Sequence, residues 1–118
     1  MLDKGKLYYM SHPYTSIGDP KENKKMAAMI QELLVAIYEI DIVNPILMIP
    51  EGMDDTAAME KCRHLYNACD AVILCPDWNK SKGCITEERW AQEDMKPTYA
   101  FIFWTKTLCV RAQQSNAK

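Results

Sequence analysis

Four short apolar segments alternate along the chain with stretches whose apolar residues recur at helical spacing, and this alternation restricts the possible folds most strongly. The apolar segments span residues 6–11, 42–43, 71–75 and 98–104. Short buried strands that alternate with helices form a parallel sheet, and right-handed crossovers place the helices on both of its faces. We therefore predict an α/β fold, with a mainly parallel sheet of about four or five strands between two layers of helices.

Turn and capping residues locate the three predicted helices. Asp19 can cap the first helix and Pro20 fits its first turn, and apolar residues at helical spacing follow. Either Asp54 or Asp55 can cap the second helix. The third helix is predicted for about residues 84–95. The result is a three-layer sandwich of the flavodoxin- or Rossmann-like type.

Length and composition are those of a single domain. With 118 residues, of which 48% are hydrophobic, the chain can bury one core but not two. We predict one domain over residues 1–118, with a core of about residues 6–104 and a polar C-terminal tail, starting after Thr105, whose end is mobile. The Met- and Pro-containing segment 45–53 is either a packed connection, a cover over the ligand site or a partner contact.

Charge, hydropathy and cysteine spacing exclude several classes of function. The net charge is −2 and there is no Lys/Arg cluster, which argues against a nucleic-acid partner. No apolar run approaches the ~20 residues of a membrane span and the start lacks the apolar centre of a secretion signal, so we expect a cytoplasmic protein with no membrane partner. The 5 cysteines include no Cys-x-x-Cys pair, which favours reduced core thiols over disulfides or a metal site.

The loops that follow the strands are the expected place for a ligand. In an open parallel sheet, ligands bind beyond the carboxyl ends of the strands, near the point where the strand order reverses. The first three such loops span residues 12–19, 44–51 and 76–83. These segments are therefore the candidates for the residues that carry chemistry.

The third loop gives the most specific local signal. Ser81 and Gly83 lie where the loop enters a helix, and free amides at that point suit an anionic or polar ligand group. Glu87 follows in the first helical turn or just past it, on the same face as Ala91. We expect the helix N-terminus to keep this carboxylate ionised, so that it can act as a nucleophile on a sugar carbon. Spacing alone also fits a surface acid that the helix dipole favours.

Several short motifs occur together in one order along the chain. They are Tyr-x-Ser-x-Pro (Tyr9, Ser11, Pro13), Asn-Pro (Asn44, Pro45), Cys-Asp (Cys69, Asp70) and Trp-x-x-Ser-x-Gly-x-x-x-Glu-x-x-x-Ala (Trp78, Ser81, Gly83, Glu87, Ala91). Through these motifs the chain resembles the nucleoside 2-deoxyribosyltransferase-like superfamily, in particular its small phage and bacterial DUF4406-type branch. The resemblance spans roughly residues 7–103.

This resemblance implies an activity and a set of site residues. Members exchange bases on deoxyribonucleosides or hydrolyse the N-glycosidic bond of nucleoside monophosphates, through a glutamate nucleophile. Glu87 aligns with that glutamate, and Tyr9 is implied to orient it. The implied contacts to a nucleoside or nucleotide are Ser11, His12, Pro13, Asn44, Asp77, Trp78, Ser81 and Gly83, with the first loop up to Ser16 near the sugar or phosphate. No cofactor or metal is implied, and a homodimer or larger homo-oligomer is expected because a neighbouring subunit often completes the pocket in this family.

Two positions depart from the family pattern. Cys62 stands where catalytic members carry an aspartate, and a thiol, whose ordinary pKa is about 8.5, is a poor replacement as proton donor to the departing base. His12 stands where active members commonly have glycine, and it either narrows the phosphate approach, supplies a different acid or bonds to the backbone. In the third loop, Asp77 could take over acid/base work, and Trp78 either stacks on a base or plugs the end of the sheet.

Two functions of different class follow from these residues. The first is a nucleoside deoxyribosyltransferase or nucleoside-monophosphate N-glycosidase that works through Glu87. The second is a catalytically idle module that binds or sequesters a nucleotide, which the departures at Cys62 and His12 favour. A structural subunit without a ligand is a third, weaker alternative.

Overall fold

The computed structural model describes residues 2–111, which form a five-stranded sheet with helices on both faces. The strands are β1 (Leu7–Ser11), β2 (Asp41–Val43), β3 (Ala71–Leu74), β4 (Thr98–Ile102) and β5 (Thr107–Val110). The helices are α1 (Pro20–Tyr38), α2 (Pro45–Met48), α3 (Asp55–Asn67) and α4 (Lys82–Glu93), and a 3-10 turn at Trp78–Lys80 precedes α4. Within this part of the chain, no helix is long and apolar enough to cross a membrane.

The strand order is β2-β1-β3-β4-β5, and β1 to β4 run parallel to one another. This arrangement confirms the predicted α/β class and its mainly parallel sheet. The chain moves from β1 outward to β2 and then returns to add β3 on the other side of β1. The strand order therefore reverses between β1 and β3, where the pairs end at Ser11 and Leu74. This is the point of the sheet at which α/β proteins bind ligands.

Strand β1 distributes its side chains to two separate cores because successive residues of a strand point to opposite faces. Tyr8 and Met10 lie on the face that α1 covers, in contact with a core that includes Ile30. Tyr9 lies on the other face, where it packs against Cys62 of α3. Every one of these side chains is less than a tenth exposed, so both faces of β1 are covered by helices.

Helix α1 begins as the sequence predicts. The Asp19 carboxylate accepts a hydrogen bond of 3.0 Å from the amide of Lys21, and Pro20 occupies the first helical position. The helix ends at Tyr38, because Glu39 adopts the left-handed conformation with φ of 56°. A cap and an N-terminal proline are both local signals, which is why the sequence locates this helix well.

The sequence left the cap of α3 open between two residues, and α4 begins at a different residue from the one expected. Asp54, not Asp55, caps α3 and accepts a hydrogen bond of 2.9 Å from the amide of Ala57. Helix α4 begins at Lys82, earlier than expected, because Ser81 acts as its cap. The earlier start places Glu87 just past the first turn of the helix, which is one of the two positions expected for it.

The segment after β2 is a packed connection on one side. Residues Pro45–Met48 form the short helix α2, which packs against α1 and buries Ile46. Leu47 and Met48 are exposed on its other side. A contact between this segment and a partner therefore stays a prediction, and it concerns only the side that carries Leu47 and Met48.

Strand β5 was not predicted from the sequence. The tail was expected to begin after Thr105, but residues Thr107–Val110 pair antiparallel with β4. The amide of Leu108 also donates a hydrogen bond of 3.0 Å to the hydroxyl of Tyr38, which ties the strand to the end of α1. The core thus extends past the predicted boundary at residue 104, and residues 112–118 of the predicted tail lie outside the described part of the chain.

Candidate active site

Three side chains from β1 and α4 meet in the buried layer between the sheet and α4. Tyr9 Oη donates a hydrogen bond of 2.5 Å to Glu87 Oε2, and Ser11 Oγ donates one of 2.6 Å to Glu87 Oε1. Alternation along β1 brings this about, since Tyr9 and Ser11 point to the same face of the sheet. Both carboxyl oxygens of Glu87 are therefore occupied by hydroxyl donors, and the residue is only 6% exposed.

Glu87 faces inward because of its position in α4. Cys84, three residues earlier, and Ala91, four residues later, lie on the same face of the helix, and both are buried. The neighbouring Glu88 is also buried, but it pairs with Arg111 at 3.0 Å instead of with β1. Glu87 is therefore not the surface acid that spacing alone would also have fitted.

Burial determines the charge of Glu87. Loss of water raises its pKa from 4.5 to about 7, and the hydrogen bonds from Ser11, Tyr9 and Cys62 only partly oppose that effect. Burial therefore acts against the expectation that the helix N-terminus keeps this carboxylate ionised, since at a pKa of about 7 the protonated and ionised forms are both populated near neutral pH. Burial and the carboxylate charge together raise the pKa of Tyr9 well above its ordinary value, so the phenol stays protonated and remains a donor.

Two buried thiols surround the same carboxyl group. Cys62, the residue that departs from the family pattern, lies within hydrogen-bonding reach of Glu87 and Tyr9, and burial raises its pKa to about 12. Cys84 bonds to Ser11 and Ser81, and burial raises its pKa to about 12 as well. Neither thiol can give up a proton readily near neutral pH. Sequence analysis missed Cys84, although its spacing of three residues from Glu87 predicts a shared helical face.

Ser81 and Gly83 lie at the start of α4, where free backbone amides were expected. The Ser81 amide is not free, because it donates a hydrogen bond of 3.1 Å to the carbonyl of Trp78. The Ser81 hydroxyl accepts from the amide of Cys84 at 3.4 Å and lies 2.9 Å from the hydroxyl of Ser16 in the first loop. A Cβ atom at Gly83 would lie 3.8 Å from the sulfur of Met59, an ordinary van der Waals distance.

His12 and Pro13 are the first two residues of the loop after β1, and they contact each other. The Nδ1 atom of His12 lies 2.8 Å from the carbonyl oxygen of Pro13, so His12 adopts the backbone-bonded alternative. Burial lowers the pKa of His12, while that hydrogen bond and the nearby charge of Asp77 act in the opposite direction. His12 and Asp77 are therefore close enough to interact electrostatically. His64, on the polar side of α3, is exposed.

Trp78 packs as a plug over the sheet. Its half-buried ring contacts the core cluster that contains Tyr9 and Leu74. The guanidinium carbon of Arg111 lies 4.9 Å from the centre of the ring, so a charged group already covers it. Asp77 is exposed, adopts a φ of 67° and lies 3.6 Å from Lys80.

Asn44 is not brought to Glu87. Its side-chain amide donates to Gln31 Oε1 at 3.0 Å and to the carbonyl of Ala27 at 3.4 Å, both on α1. The side chain therefore faces the helix on the other side of the sheet. Its Oδ1 atom is buried without a hydrogen-bond partner among residues 2–111.

Two surface cavities lie near these elements. The larger, of about 540 Å³, is a shallow groove between α3 and α4, lined by Asp55, Thr56, Met59, Glu60, Arg63 and Trp90. The smaller, of about 260 Å³, lies beside the first loop and is lined by Tyr14, Asp19, Pro20, Lys21, Lys24 and Glu51. Glu87 lines neither of them, so neither is the nucleotide-sized pocket expected beside that residue.

Comparison with known proteins identifies both a family and a related fold. Residues 6–99 match the model of a family described as a domain of unknown function, DUF4406. No curated protein matches the chain. A solved structure of a 2-deoxyribosyltransferase from the psychrotolerant bacterium Bacillus psychrosaccharolyticus superposes with a TM-score of 0.58, at 14% identity over 80% of this chain and 71% of that one. The chain thus belongs to the DUF4406 family and has a nucleoside 2-deoxyribosyltransferase-like fold.

Proposed function

We propose that this chain cleaves the N-glycosidic bond of a nucleoside or nucleoside monophosphate, with Glu87 as the nucleophile. The observation that carries the proposal is a buried carboxyl group whose two oxygens accept hydrogen bonds from Tyr9 and Ser11. Water can hydrogen-bond to an acid at the surface, whereas a nucleophile reacts faster when its orientation is fixed. The 2-deoxyribosyltransferase of similar fold supports a nucleoside as the substrate class.

The proposed reaction has two steps. A carboxylate oxygen of Glu87 forms an ester bond to the anomeric carbon of the sugar, while the bond from that carbon to the base nitrogen breaks. The electron pair of the broken bond leaves with the base, which takes up a proton. Water or a second base then attacks the same carbon and releases the Glu87 carboxylate. Water gives hydrolysis, and a second base gives transfer.

Tyr9 and Ser11 have defined roles in this proposal. Their hydroxyl groups favour the ionised form of Glu87, since each hydrogen bond lowers the pKa that burial has raised. One oxygen must give up its donor when it attacks, while the other keeps its donor and fixes the plane of the carboxylate. Tyr9 is accordingly a positioning residue.

The source of the proton for the leaving base is the weakest part of the site. Cys62 holds its proton too firmly, with a pKa of about 12. His12 and Asp77 are the other candidates that the sequence offers, and burial lowers the pKa of His12 below its ordinary value of 6.5. As a nucleophile, Glu87 must be ionised, and most molecules meet this condition only above about pH 7. As a proton donor, His12 must be protonated, and most molecules meet this condition only below its own lowered pKa. Only a small fraction of molecules would hold both groups in the required state at once.

This mismatch favours a second candidate function. A catalytically idle module that binds or sequesters a nucleotide needs the fold and the polar loops but no proton donor. Cys62 in place of an acid fits that function. Calorimetry with nucleosides and monophosphates distinguishes the two, since tight binding without release of free base over hours would select the binding module.

The direct test is incubation with a panel of nucleosides and nucleoside monophosphates, followed by chromatography for free base. Glu87→Gln keeps the shape of the side chain and removes the nucleophilic charge, so base release should fall at least ~1000-fold. Glu88→Gln is the matched control, because it makes the same change at the adjacent buried glutamate and should retain turnover. Unchanged turnover in Glu87→Gln, with a melting temperature near that of the wild type, would remove Glu87 from the mechanism.

Several expectations from the sequence stay predictions. They are a homodimer or larger homo-oligomer, a cytoplasmic location, and the absence of nucleic-acid and membrane partners. Light scattering of the purified protein measures the first of these directly. The substrate contacts proposed for Ser11, His12, Pro13, Asp77, Trp78, Ser81 and Gly83 are tested by the effect of alanine variants on nucleotide binding, with Gly83→Ala adding only a methyl group. Asn44 has less support as a contact, since its side chain faces α1.

A further inference from the structure

The carboxyl group of Glu87 is closed off from the surface in this structure. The residue is 6% exposed, and hydroxyl groups of Tyr9 and Ser11 occupy both oxygens. An attacking oxygen must come within about 3–3.5 Å of the sugar carbon. A sugar cannot reach that distance while the carboxyl group stays covered in the layer between the sheet and α4. Some part of this cover has to move.

The first loop and the start of α4 both lie at the carboxyl edge of the sheet, beyond the ends of β1 and β3. The first loop is anchored to α1, because the side-chain amide of Asn23 donates to the carbonyl of Tyr14 at 2.9 Å and to that of Ile17 at 2.7 Å. Across the carboxyl edge of the sheet, the hydroxyl of Ser16 lies 2.9 Å from that of Ser81, the cap of α4. One hydroxyl pair thus joins the loop on one side of the edge to the helix on the other.

We propose that the Ser16–Ser81 pair is a latch that keeps the entrance to Glu87 closed until a ligand separates the first loop from α4. The identity of that ligand, a nucleoside or nucleotide, rests on the proposed function. A sugar or phosphate oxygen can accept a hydrogen bond from each serine, so ligand entry replaces one mutual bond with two new ones. Ligand binding and opening are then coupled, because the ligand stabilises the separated state.

Two buried cysteines allow this motion to be measured. Cys84 is 1% exposed and hydrogen-bonds to Ser11 and to Ser81, one of the two residues of the latch. While the entrance is closed, burial holds the pKa of this thiol at about 12 and keeps it unreactive. Cys69 is 3% exposed and lies just before β3, at the opposite end of the sheet. Cys84 therefore reports local opening, and Cys69 reports loosening of the whole fold.

The experiment measures the alkylation rate of each cysteine in the intact protein with iodoacetamide, read by mass spectrometry of peptides. Ser16→Ala removes one half of the latch and should speed alkylation of Cys84 about fivefold, the rate equivalent of ~1 kcal/mol for one hydroxyl hydrogen bond. Thr15→Ala, the matched control, removes the adjacent exposed hydroxyl and should leave the rate unchanged. Ser16→Thr retains a hydroxyl at the same position and should keep the slow rate.

Two results would overturn the latch. One is an unchanged rate at Cys84 in Ser16→Ala. The other is an equal increase at Cys84 and Cys69, which would mean that the substitution loosens the fold as a whole. Neither result depends on turnover. Faster alkylation of Cys84 in Ser16→Ala, together with no base release from any nucleoside, would retain the latch and reject the proposed reaction.

Discussion

The hydroxyl of Tyr9 lies 2.5 Å from Oε2 of Glu87, although 78 positions separate the two residues in the chain. Two local features prepare this contact. Alternation along β1 turns Tyr9 away from α1, and helical periodicity turns Glu87 toward the sheet. Their meeting then needs the strand order that places β1 beside β3, so that the loop after β3 delivers α4 above β1. Local pattern and topology together build the candidate site.

Glu87 should make folding stability depend on pH. Its pKa is about 7 in the folded protein against an ordinary value of 4.5, so between these values the folded state holds a proton that the unfolded state has released. The free energy of unfolding therefore decreases as pH rises through this window, and above the window Glu87 causes no further change with pH. The expected loss is about 3 kcal/mol, at 1.36 kcal/mol for each pH unit.

Glu87→Gln isolates this contribution because glutamine carries no titratable proton. Chemical denaturation of both proteins between about pH 4.5 and 8 gives the difference in their unfolding free energies. That difference should shift against the wild type as pH rises to about 7 and then level off. A difference that stays constant across the range would mean that Glu87 is ionised throughout.

Tyr9→Phe should raise the pKa of Glu87 further. The substitution removes one of the hydrogen bonds that favour the carboxylate, and a bond to a charged group contributes about 1.5 kcal/mol or more, equivalent to about one pH unit. Carbon NMR of the Glu87 carboxyl measures the shift. Tyr8→Phe is the control, since the Tyr8 hydroxyl accepts from the amide of Asp3 on the other side of the sheet. An equal pKa in all three proteins would contradict the role of Tyr9.

Cys62→Asp tests whether the missing acid limits turnover. If the proposed reaction is correct, an aspartate beside Glu87 supplies a proton donor and base release should rise by about 10-fold or more. Cys62→Asn has a similar shape but no titratable proton, so it should leave turnover at the wild-type rate. Higher turnover in both variants, or in neither, would show that the proton donor is not what limits the reaction.

Cys62→Asp should also destabilise the fold. It places a second acidic group beside a buried carboxyl group, and the two cannot both ionise at low cost. Thermal unfolding should therefore show a lower melting temperature for the aspartate variant than for the asparagine variant, by more at pH 8 than at pH 5. Equal melting temperatures at both pH values would mean that the new carboxyl group reaches solvent.

The sequence predicts those parts of the fold that depend on neighbouring residues. Asp19 and Pro20 locate the start of α1 because a cap and a fixed φ act within one turn. Alternation in β1 and the shared face of Glu87 and Ala91 are likewise local. Strand β5 was not predicted because three of its four residues are exposed and its sequence has little apolar periodicity. Its pairing with β4 stabilises it.

The charge of Glu87 and the packing of Trp78 could not be predicted because both depend on distant residues. The effect of the helix N-terminus on Glu87 is visible in the sequence, but the burial that outweighs it comes from the sheet, α3 and α4 together. The sequence left Trp78 open between stacking on a base and plugging the sheet. The ring packs against a core cluster that includes Tyr9, and Arg111, 33 positions later in the chain, also lies against it.

Arg111 should contribute to stability more than an ordinary surface charge does. It pairs at 3.0 Å with the Glu88 carboxylate, whose side chain is only 11% exposed, and it covers the ring of Trp78. Arg111→Ala leaves that carboxylate without its cation and should cost about 1–3 kcal/mol of unfolding free energy. Lys4→Ala is the control, because the Lys4–Glu39 pair is 68% and 67% exposed and should contribute less than about 1 kcal/mol. Equal losses in urea denaturation would mean that β5 detaches readily and that Glu88 reaches water without Arg111.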